Sequence, residues 1–181
     1  MKEYYKKKKS NVSKIVLILT LSIPIALCVF YNKPPDYIIS ELRSVKSYGV
    51  EDALVFAVIK CESGFDENAM SLKGACGLMQ LNESTFRYIC SLKGLRSDDI
   101  FDPSQNIAAG RAYLSYLSER FYGLDEILCA YNAGEGRTRA WLSDKRYSSD
   151  GRKIKSIPYK ETKEYVARVK TYYYFYKGAG I

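Results

Sequence analysis

The sequence contains no histidine, and this absence removes several kinds of catalytic site. Ser-His and Cys-His nucleophilic sites need an imidazole as their base, and imidazole is the commonest metal ligand in proteins. The five cysteines also lack the C-x-x-C spacing that is typical of a zinc site. Ser-His catalysis, Cys-His catalysis and histidine-ligated metals are therefore excluded, and no zinc site is predicted.

Acidic residues are scarce at the amino terminus. Residues 1–14 carry six lysines and one glutamate, a local net charge of +5. The remaining residues have 22 basic and 19 acidic side chains, so they contribute only +3 of the overall +8. Since a nucleic-acid-binding protein would carry its basic face on the folded body, we expect no nucleic-acid partner. The basic tail instead fits a segment held on the cytoplasmic side of a membrane.

Residues 15–31 contain no charged side chain, and Lys14 and Lys33 bracket them. The length is at the short end of what spans a bilayer, roughly 17–25 residues. It exceeds the apolar core of a cleavable signal, roughly 7–15 residues, and no small-x-small cleavage site follows. We therefore predict a single-pass protein of the cell membrane, with residues 1–14 cytoplasmic and the body outside. Secretion after signal cleavage is the alternative.

The rest of the chain is long enough for one compact core and small for two. Helical patterns follow one another with short connectors, so we predict a mostly α fold. Residues 32–44 are predicted to be a connector and first helix, and residues 45–181 to be the functional domain. The helices are predicted at 36–48, 51–63, 82–92, from 103 onward, 124–131 and 161–177, with loop, turn or a short hairpin at 65–81. The cysteines at 61, 76, 90 and 129 can form two disulfides or remain free thiols.

One carboxyl stands out, that of Glu62 at the end of the predicted helix 51–63. Val55, Val58 and Ile59 precede it by seven, four and three residues, so they share its helical face, and Gly64 directly follows the helix. Partial burial and the negative end of the helix dipole both disfavour an ionised carboxyl, so both should raise its pKa. A general acid that works near neutral pH needs such a carboxyl. The alternative is an inert, solvated carboxylate at a frayed helix end.

Other short motifs follow Glu62-Ser63 along the chain. They are Gly-Leu-Met-Gln-Leu at 77–81, Asp-Pro-x-x-Asn-Ile at 102–107, Ala-Tyr-Asn-Ala-Gly at 130–134, and Ile-Pro-Tyr-Lys-Glu-Thr at 157–162 followed by Tyr165-Val166. In this order and spacing they resemble the catalytic domain of the soluble-lytic-transglycosylase family, over about residues 45–176. The resemblance implies a lysozyme-like fold of the goose-type lysozyme and transglycosylase kind. Glu83 departs from the family, which commonly has proline at this position.

The resemblance also implies a function. It implies cleavage of the β-1,4 bond between N-acetylmuramic acid and N-acetylglucosamine in peptidoglycan, with a 1,6-anhydromuramoyl product. Glu62 takes the catalytic position, and no cofactor or metal is needed because the acid supplies the chemistry. The implied substrate-binding residues are Ser63, Met79, Gln80, Asn106, Tyr131, Asn132 and Glu161. The expected partners are peptidoglycan glycan strands and, through the N-terminal helix, the cell membrane, and we expect a monomer.

Several alternatives stay open at this stage. The same fold can carry a hydrolytic muramidase, in which water replaces the sugar hydroxyl as the attacking group. It can also carry a non-catalytic glycan-binding scaffold. Among single residues, Met79 can be ordinary core, Gln80 can be a turn-stabilising amide, and Asn106 and Glu161 can serve helix packing or capping.

Overall fold

The structure is a computed structural model that describes Met1 and residues 31–181. The chain divides into two units, Met1–Pro34 and Pro35–Ile181. The basic tail beyond Met1 and the predicted anchor, Tyr31 apart, lie outside the described residues. Within the described part, no helix is long and apolar enough to cross a membrane.

The unit Pro35–Ile181 is built from seven helices and one two-stranded sheet. The helices are α1 (Asp36–Ser44), α2 (Asp52–Glu62), α3 (Glu83–Lys93), α4 (Pro103–Ser118), α5 (Leu124–Ala133), α6 (Glu135–Ser143) and α7 (Lys160–Ala179). The strands β1 (Ala75–Cys76) and β2 (Leu81–Asn82) pair antiparallel as a short hairpin. The mostly helical prediction is confirmed, and α6 is the one of these helices that the sequence did not predict.

Helix α2 forms the centre of the core. Its residues from 55 to 59 are all at most 2% exposed, as expected for a helix that is apolar on every face. Its main packing partner is α7, where Tyr176 meets Phe56 with ring centroids 5.9 Å apart. The helix ends because Gly64 adopts φ +64°, and the Gly64 amide donates to the Ile59 carbonyl at 3.2 Å. Glu62 is thus the last residue of a buried helix and lies where the core meets the surface.

A buried arginine fixes the entry to α2. Arg111 of α4 is 3% exposed. Its guanidinium donates to the carbonyls of Leu42, Ser47 and Val50 and pairs with the Asp52 carboxylate. These bonds satisfy carbonyls at the end of α1 and in the turn before α2. Helix α1 is consequently part of the compact unit that begins at Pro35.

The four cysteines of this unit are free thiols. Cys90 and Cys129 are buried, so they pack as small apolar side chains. Cys61 and Cys76 are partly exposed. The sequence left open whether these cysteines form two disulfides or remain free thiols, and the structure has free thiols.

Candidate functional site

A pocket of about 390 Å³ opens beside the end of α2. It lies between α2, the hairpin region, the end of α5 and the start of α7. Its lining residues are Glu62, Ser71, Leu72, Lys73, Ala75, Gln80, Asn82, Tyr131, Asn132 and Glu161. A second pocket of about 200 Å³ shares four of these, Gln80, Asn82, Tyr131 and Asn132, so the two adjoin. Five of the eight site residues that the sequence predicted are brought together here: Glu62, Gln80, Tyr131, Asn132 and Glu161.

The Glu62 carboxyl is partly buried and opens to this pocket. Burial raises its pKa from the ordinary 4.5 to about 7, because the ionised form loses solvation. The Tyr165 hydroxyl and the Arg168 guanidinium oppose this rise, whereas the Glu161 carboxylate adds to it. Near pH 7 the protonated and ionised forms therefore coexist, so the group can both give and take a proton.

Two tyrosines, the partly buried Tyr131 and the buried Tyr165, interact with this carboxyl. Burial raises the pKa of Tyr131 and of Tyr165 well above 10, so both hydroxyls stay protonated. The Tyr131 hydroxyl donates to the Met79 carbonyl at 2.8 Å. The Tyr165 hydroxyl has no partner other than the Glu62 carboxyl within the described residues, and its interaction with that carboxyl lowers the pKa of Glu62. Tyr165 therefore supplies a donor to Glu62.

The Asn106 side chain of α4 holds the loop 77–80 in place through hydrogen bonds. The Asn106 side-chain oxygen accepts from the Met79 amide at 2.8 Å, and its nitrogen donates to the carbonyls of Ile100 at 2.7 Å and Cys76 at 3.1 Å. Gly77 lies against this amide with φ +74°, and a Cβ at that position would overlap the Asn106 side chain. Asn106 is fully buried and does not line the pocket. The expectation of direct substrate contact is therefore revised to support of the loop.

Gln80 is fixed by the same loop. Its backbone has φ +48°, a left-handed conformation that is uncommon for a residue with a side chain. Its side-chain nitrogen donates to the carbonyls of Ala69 at 2.9 Å and Gly77 at 3.0 Å. Gln80 therefore both stabilises the turn through its side-chain nitrogen and lines the pocket. Because both amide hydrogens are used, the side-chain oxygen is the group left to accept a hydrogen bond in the pocket.

Ser63 and Met79 also support the site and do not line it. The Ser63 hydroxyl donates to the Ile59 carbonyl and accepts from the Phe65 amide, each at 3.2 Å, so it finishes the turn that follows Glu62. Met79 is fully buried against α4, where a Cβ on Gly110 would overlap its thioether. Burial excludes direct substrate contact for Met79, whereas for partly exposed Ser63 such contact stays a prediction.

Tyr165 and Lys73 are among the residues of the site that were not predicted from the sequence. Tyr165 follows Glu161 by four residues in a predicted helix, so their shared face was a signal that could have identified it. Lys73 lies at the rim of the pocket, 4.0 Å from the Glu161 carboxylate, and both side chains are largely exposed. An exposed pair of this kind contributes little stability, so a ligand can readily separate it.

Comparison with known proteins places this site in context. Residues 41–154 match the Transglycosylase SLT domain family. Soluble lytic murein transglycosylase of Escherichia coli is 34% identical over 135 residues, which cover 71% of this chain and 21% of that protein. Membrane-bound lytic murein transglycosylase C of Yersinia enterocolitica is 36% identical over 117 residues, or 57% of this chain and 33% of that protein. A solved inactive mutant of lytic transglycosylase Slt from Pseudomonas aeruginosa has a TM-score of 0.66 at 32% identity, over 78% of this chain and 23% of that one.

The helical fold is that of a lytic-transglycosylase-like domain, as the structural match shows. The chain belongs to the Transglycosylase SLT domain family, because the family match covers more than half of its 181 residues. The family that the sequence motifs implied is confirmed, and the mostly helical fold matches that of a solved lytic transglycosylase. The chain spans about a fifth to a third of the length of these relatives.

Proposed function

We propose that this protein is a peptidoglycan lytic transglycosylase that cleaves the MurNAc-β-1,4-GlcNAc bond with Glu62 as its single acid and base. The observation that carries the proposal is the Glu62 carboxyl, whose pKa of about 7 suits proton transfer in both directions. The relatives named as lytic murein transglycosylases support the same substrate.

In this mechanism protonated Glu62 first gives its proton to the glycosidic oxygen, and the bond from that oxygen to C1 of the muramic acid breaks. The resulting carboxylate then takes the proton of the C6 hydroxyl of the same sugar. The C6 oxygen bonds to C1 and closes the 1,6-anhydro ring. Water is not consumed, and Glu62 ends protonated, as it began. A positioned acid and base of this kind contributes roughly 10²- to 10⁴-fold in rate.

The other residues of the pocket would hold the glycan. The Gln80 side-chain oxygen can accept a hydrogen bond from a sugar hydroxyl or an N-acetyl N–H group. Asn132 offers both a donor and an acceptor to the same groups. Tyr165 keeps a donor beside Glu62, which favours the carboxylate that forms after the first proton transfer.

Hydrolysis is the second candidate, because Glu161 is a further carboxylate in the pocket lining. Most glycosidases use two carboxyl groups, the second as a nucleophile or as a base for water. Glu161 is 76% exposed and pairs with Lys73, which favours a binding role at the rim. In a transglycosylase, Glu161→Gln should weaken kcat/KM by less than about tenfold and leave the product unchanged. The hydrolase would be favoured if Glu161→Gln abolished activity and the wild type released products with a reducing end.

The direct test digests purified peptidoglycan with the wild type and with Glu62→Gln. The proposal predicts 1,6-anhydromuropeptides from the wild type and at least a hundredfold less product from the variant, since the acid is lost. Glu164→Gln is a matched control on the exposed face of α7 and should retain full activity. If Glu62→Gln cleaves like the wild type, another group is the acid. Binding without cleavage by the wild type would indicate a glycan-binding scaffold.

We also propose that residues 15–31 anchor the enzyme in the cell membrane, with residues 1–14 in the cytoplasm. The uncharged run and the lysines before it support this orientation. The Yersinia relative is named as a membrane-bound transglycosylase, which is consistent with this orientation. Membrane fractionation tests the proposal: full-length protein should remain in the membrane after a high-salt wash. A shortened protein in the medium would indicate signal cleavage.

A further inference from the structure

The charge of the folded body is divided sharply along the chain. Residues 137–170 carry eleven basic and four acidic side chains, a net charge of +7. The remaining body residues, 32–136 and 171–181, carry eleven basic and fifteen acidic side chains, a net charge of −4. Within the basic part, the connection 144–155 between α6 and α7 has five basic and two acidic side chains, and we call it the basic loop. It is a surface that attracts anions.

The basic loop is ordered by hydrogen bonds between its two halves and to the core. The Lys155 amide donates to the Tyr147 carbonyl at 2.8 Å, and Ser148 forms an antiparallel bridge with Ile154. The Ile154 amide also donates to the Glu126 carboxylate of α5 at 2.7 Å, and Glu126 is only 4% exposed. The beginning and the end of the loop therefore lie side by side on a fixed backbone, which lowers the entropic cost of binding a ligand.

The two carboxylates of the basic loop already have partners inside the loop. The Asp150 carboxylate accepts from the Arg152 and Lys153 amides, each at 2.9 Å. The Asp144 carboxylate pairs with the Arg146 guanidinium at 2.6 Å. Four basic side chains of the loop are exposed and form no ion pair within the residues that the structure describes: Lys145, Arg152, Lys153 and Lys155. The loop thus presents four positive charges that no carboxylate pairs with directly.

The basic loop has no free aromatic surface for a nucleobase. Its single aromatic residue, Tyr147, is half-buried and packs against the core. The Arg146 guanidinium lies over the Tyr147 ring, 5.2 Å from its centroid. Proteins that bind single-stranded nucleic acid without sequence preference stack the bases on exposed aromatic side chains. The loop therefore suits an anionic partner that has no bases to stack.

The tip of the basic loop is also unsuited to inserting into a lipid surface. Residues 149–153 are Ser-Asp-Gly-Arg-Lys, and all five are exposed. The apolar side chain that follows them, Ile154, is half-buried and packs against the core. A segment that binds in a membrane interface places large apolar side chains among the headgroups beside its basic ones. The exposed tip lacks such side chains, so it favours a polyanion that is dissolved in water.

We infer that the basic loop binds a phosphodiester polymer without nucleobases, of the poly(glycerol phosphate) kind. Such a chain repeats a negative charge at short intervals, so one strand can meet the cations at both ends of the loop. The guanidinium of Arg152 also matches the geometry of phosphate oxygens. The inference goes beyond the proposed function, because none of the four unpaired cations of the loop lines the catalytic pocket. Binding there would raise the concentration of the protein where such a polymer is present.

The test measures binding of fluorescently labelled poly(glycerol phosphate) to detergent-solubilised full-length protein by fluorescence anisotropy. The loop variant is Arg152→Gln with Lys153→Gln. The control, Arg43→Gln with Lys46→Gln, removes the same two kinds of charge from exposed positions at the end of α1. Residues 1–14 contribute equally to all three proteins. We expect the loop variant to bind about tenfold more weakly, and its plot of log affinity against log salt to be shallower by about 1.4, roughly 0.7 for each lost charge. The control should stay within about twofold of the wild type.

Two further probes identify the partner. Single-stranded DNA of the same charge and phosphatidylglycerol vesicles should distinguish the loop variant from the wild type less than the polymer does, because the loop offers no stacking surface and no apolar tip. Equal losses in both double variants would show that only overall charge matters and would overturn the inference. A loss on DNA or on vesicles at least as large as on the polymer would overturn it as well.

The same variant separates this inference from the proposed function. Because the loop cations lie outside the catalytic pocket, the loop variant should release anhydro products from polymer-free peptidoglycan as the wild type does. It should also unfold at the same urea concentration, since both substituted side chains are exposed. If the wild type releases no anhydro product, the proposed function fails and the polymer-binding result is unaffected.

Discussion

The burial that prepares Glu62 for proton transfer should also destabilise the folded protein at neutral pH. Its pKa rises from 4.5 in the unfolded chain to about 7 in the fold. Between these values the native state holds more protons than the unfolded state, so the free energy of unfolding falls as the pH rises. A rise of this size corresponds to a cost of about 3 kcal/mol once the pH exceeds 7. This is an upper limit, because the carboxyl opens to the pocket.

Glu62→Gln tests this cost, because the amide is neutral at every pH. At pH 4 the carboxyl is largely protonated in both states, and the variant and wild type should agree within about 1 kcal/mol. At pH 8 the variant should be the more stable protein by up to about 3 kcal/mol. Urea unfolding across this range, followed by the fluorescence of the single tryptophan, measures the difference. Trp141 is suited to this because it is buried in the fold.

Glu164→Gln is the control for a general effect of removing a carboxylate. Glu164 is exposed and forms a surface pair with Lys160 at 3.8 Å, so its loss should leave stability nearly unchanged and should give no gain at pH 8. If the advantage of Glu62→Gln over the wild type stays constant between pH 4 and pH 8, Glu62 does not have a raised pKa. The assignment of an acid near neutral pH would then be refuted.

Three further predictions concern the supports of the site. Tyr165→Phe removes a group that lowers the pKa of the Glu62 carboxyl, so the pH above which activity falls should move to a higher value. An unchanged or lower value would contradict this. Gly110→Ala places a methyl group against the Met79 thioether and should cost about 1–3 kcal/mol in urea unfolding. Gly136→Ala, in open helical space, should be neutral or stabilising, and equal effects would refute the packing argument. Asn106→Ala should lower the free energy of unfolding by about 2–4 kcal/mol and lower kcat, because it leaves the Met79 amide and the Ile100 carbonyl unpaired. Unchanged stability would show that other contacts hold the loop.

The sequence predicts best where a signal is local. The apolar run before Glu62 and the glycine after it define a buried helix with a sharp end, and the structure has that helix. The proline after Asp102 marks the start of α4 in the same way, and the Asp102 side chain accepts from the Gln105 amide. Such features depend on neighbouring residues, so they can be read without knowing the tertiary fold.

Helix α6 was missed because its stability comes from elsewhere in the fold. Its sequence has few apolar residues, and only Thr138 and Trp141 are buried. Trp141 is held by the core and meets the Tyr159 ring at 5.3 Å. A helix with so narrow a buried face has no clear periodicity, so tertiary packing decides its conformation.

The motifs predicted which residues gather at the site but not which of them face the pocket. Gln80 and Met79 are adjacent, yet one lines the pocket and the other is buried against α4. The difference follows from the left-handed backbone at Gln80 and from the bond between the Met79 amide and Asn106, 27 positions away. Such long-range contacts are not encoded in the local pattern, so supporting and lining residues look alike in the sequence.

In the proposed mechanism one carboxyl, that of Glu62, acts as both acid and base, and the sugar's own hydroxyl closes the ring. Mass spectrometry of the products released from purified peptidoglycan tests this most directly. We expect muropeptides that end in 1,6-anhydromuramic acid, which are lighter by one water than hydrolysis products and are absent with Glu62→Gln. Products that end in reducing muramic acid would contradict it, because they require water as the attacking group.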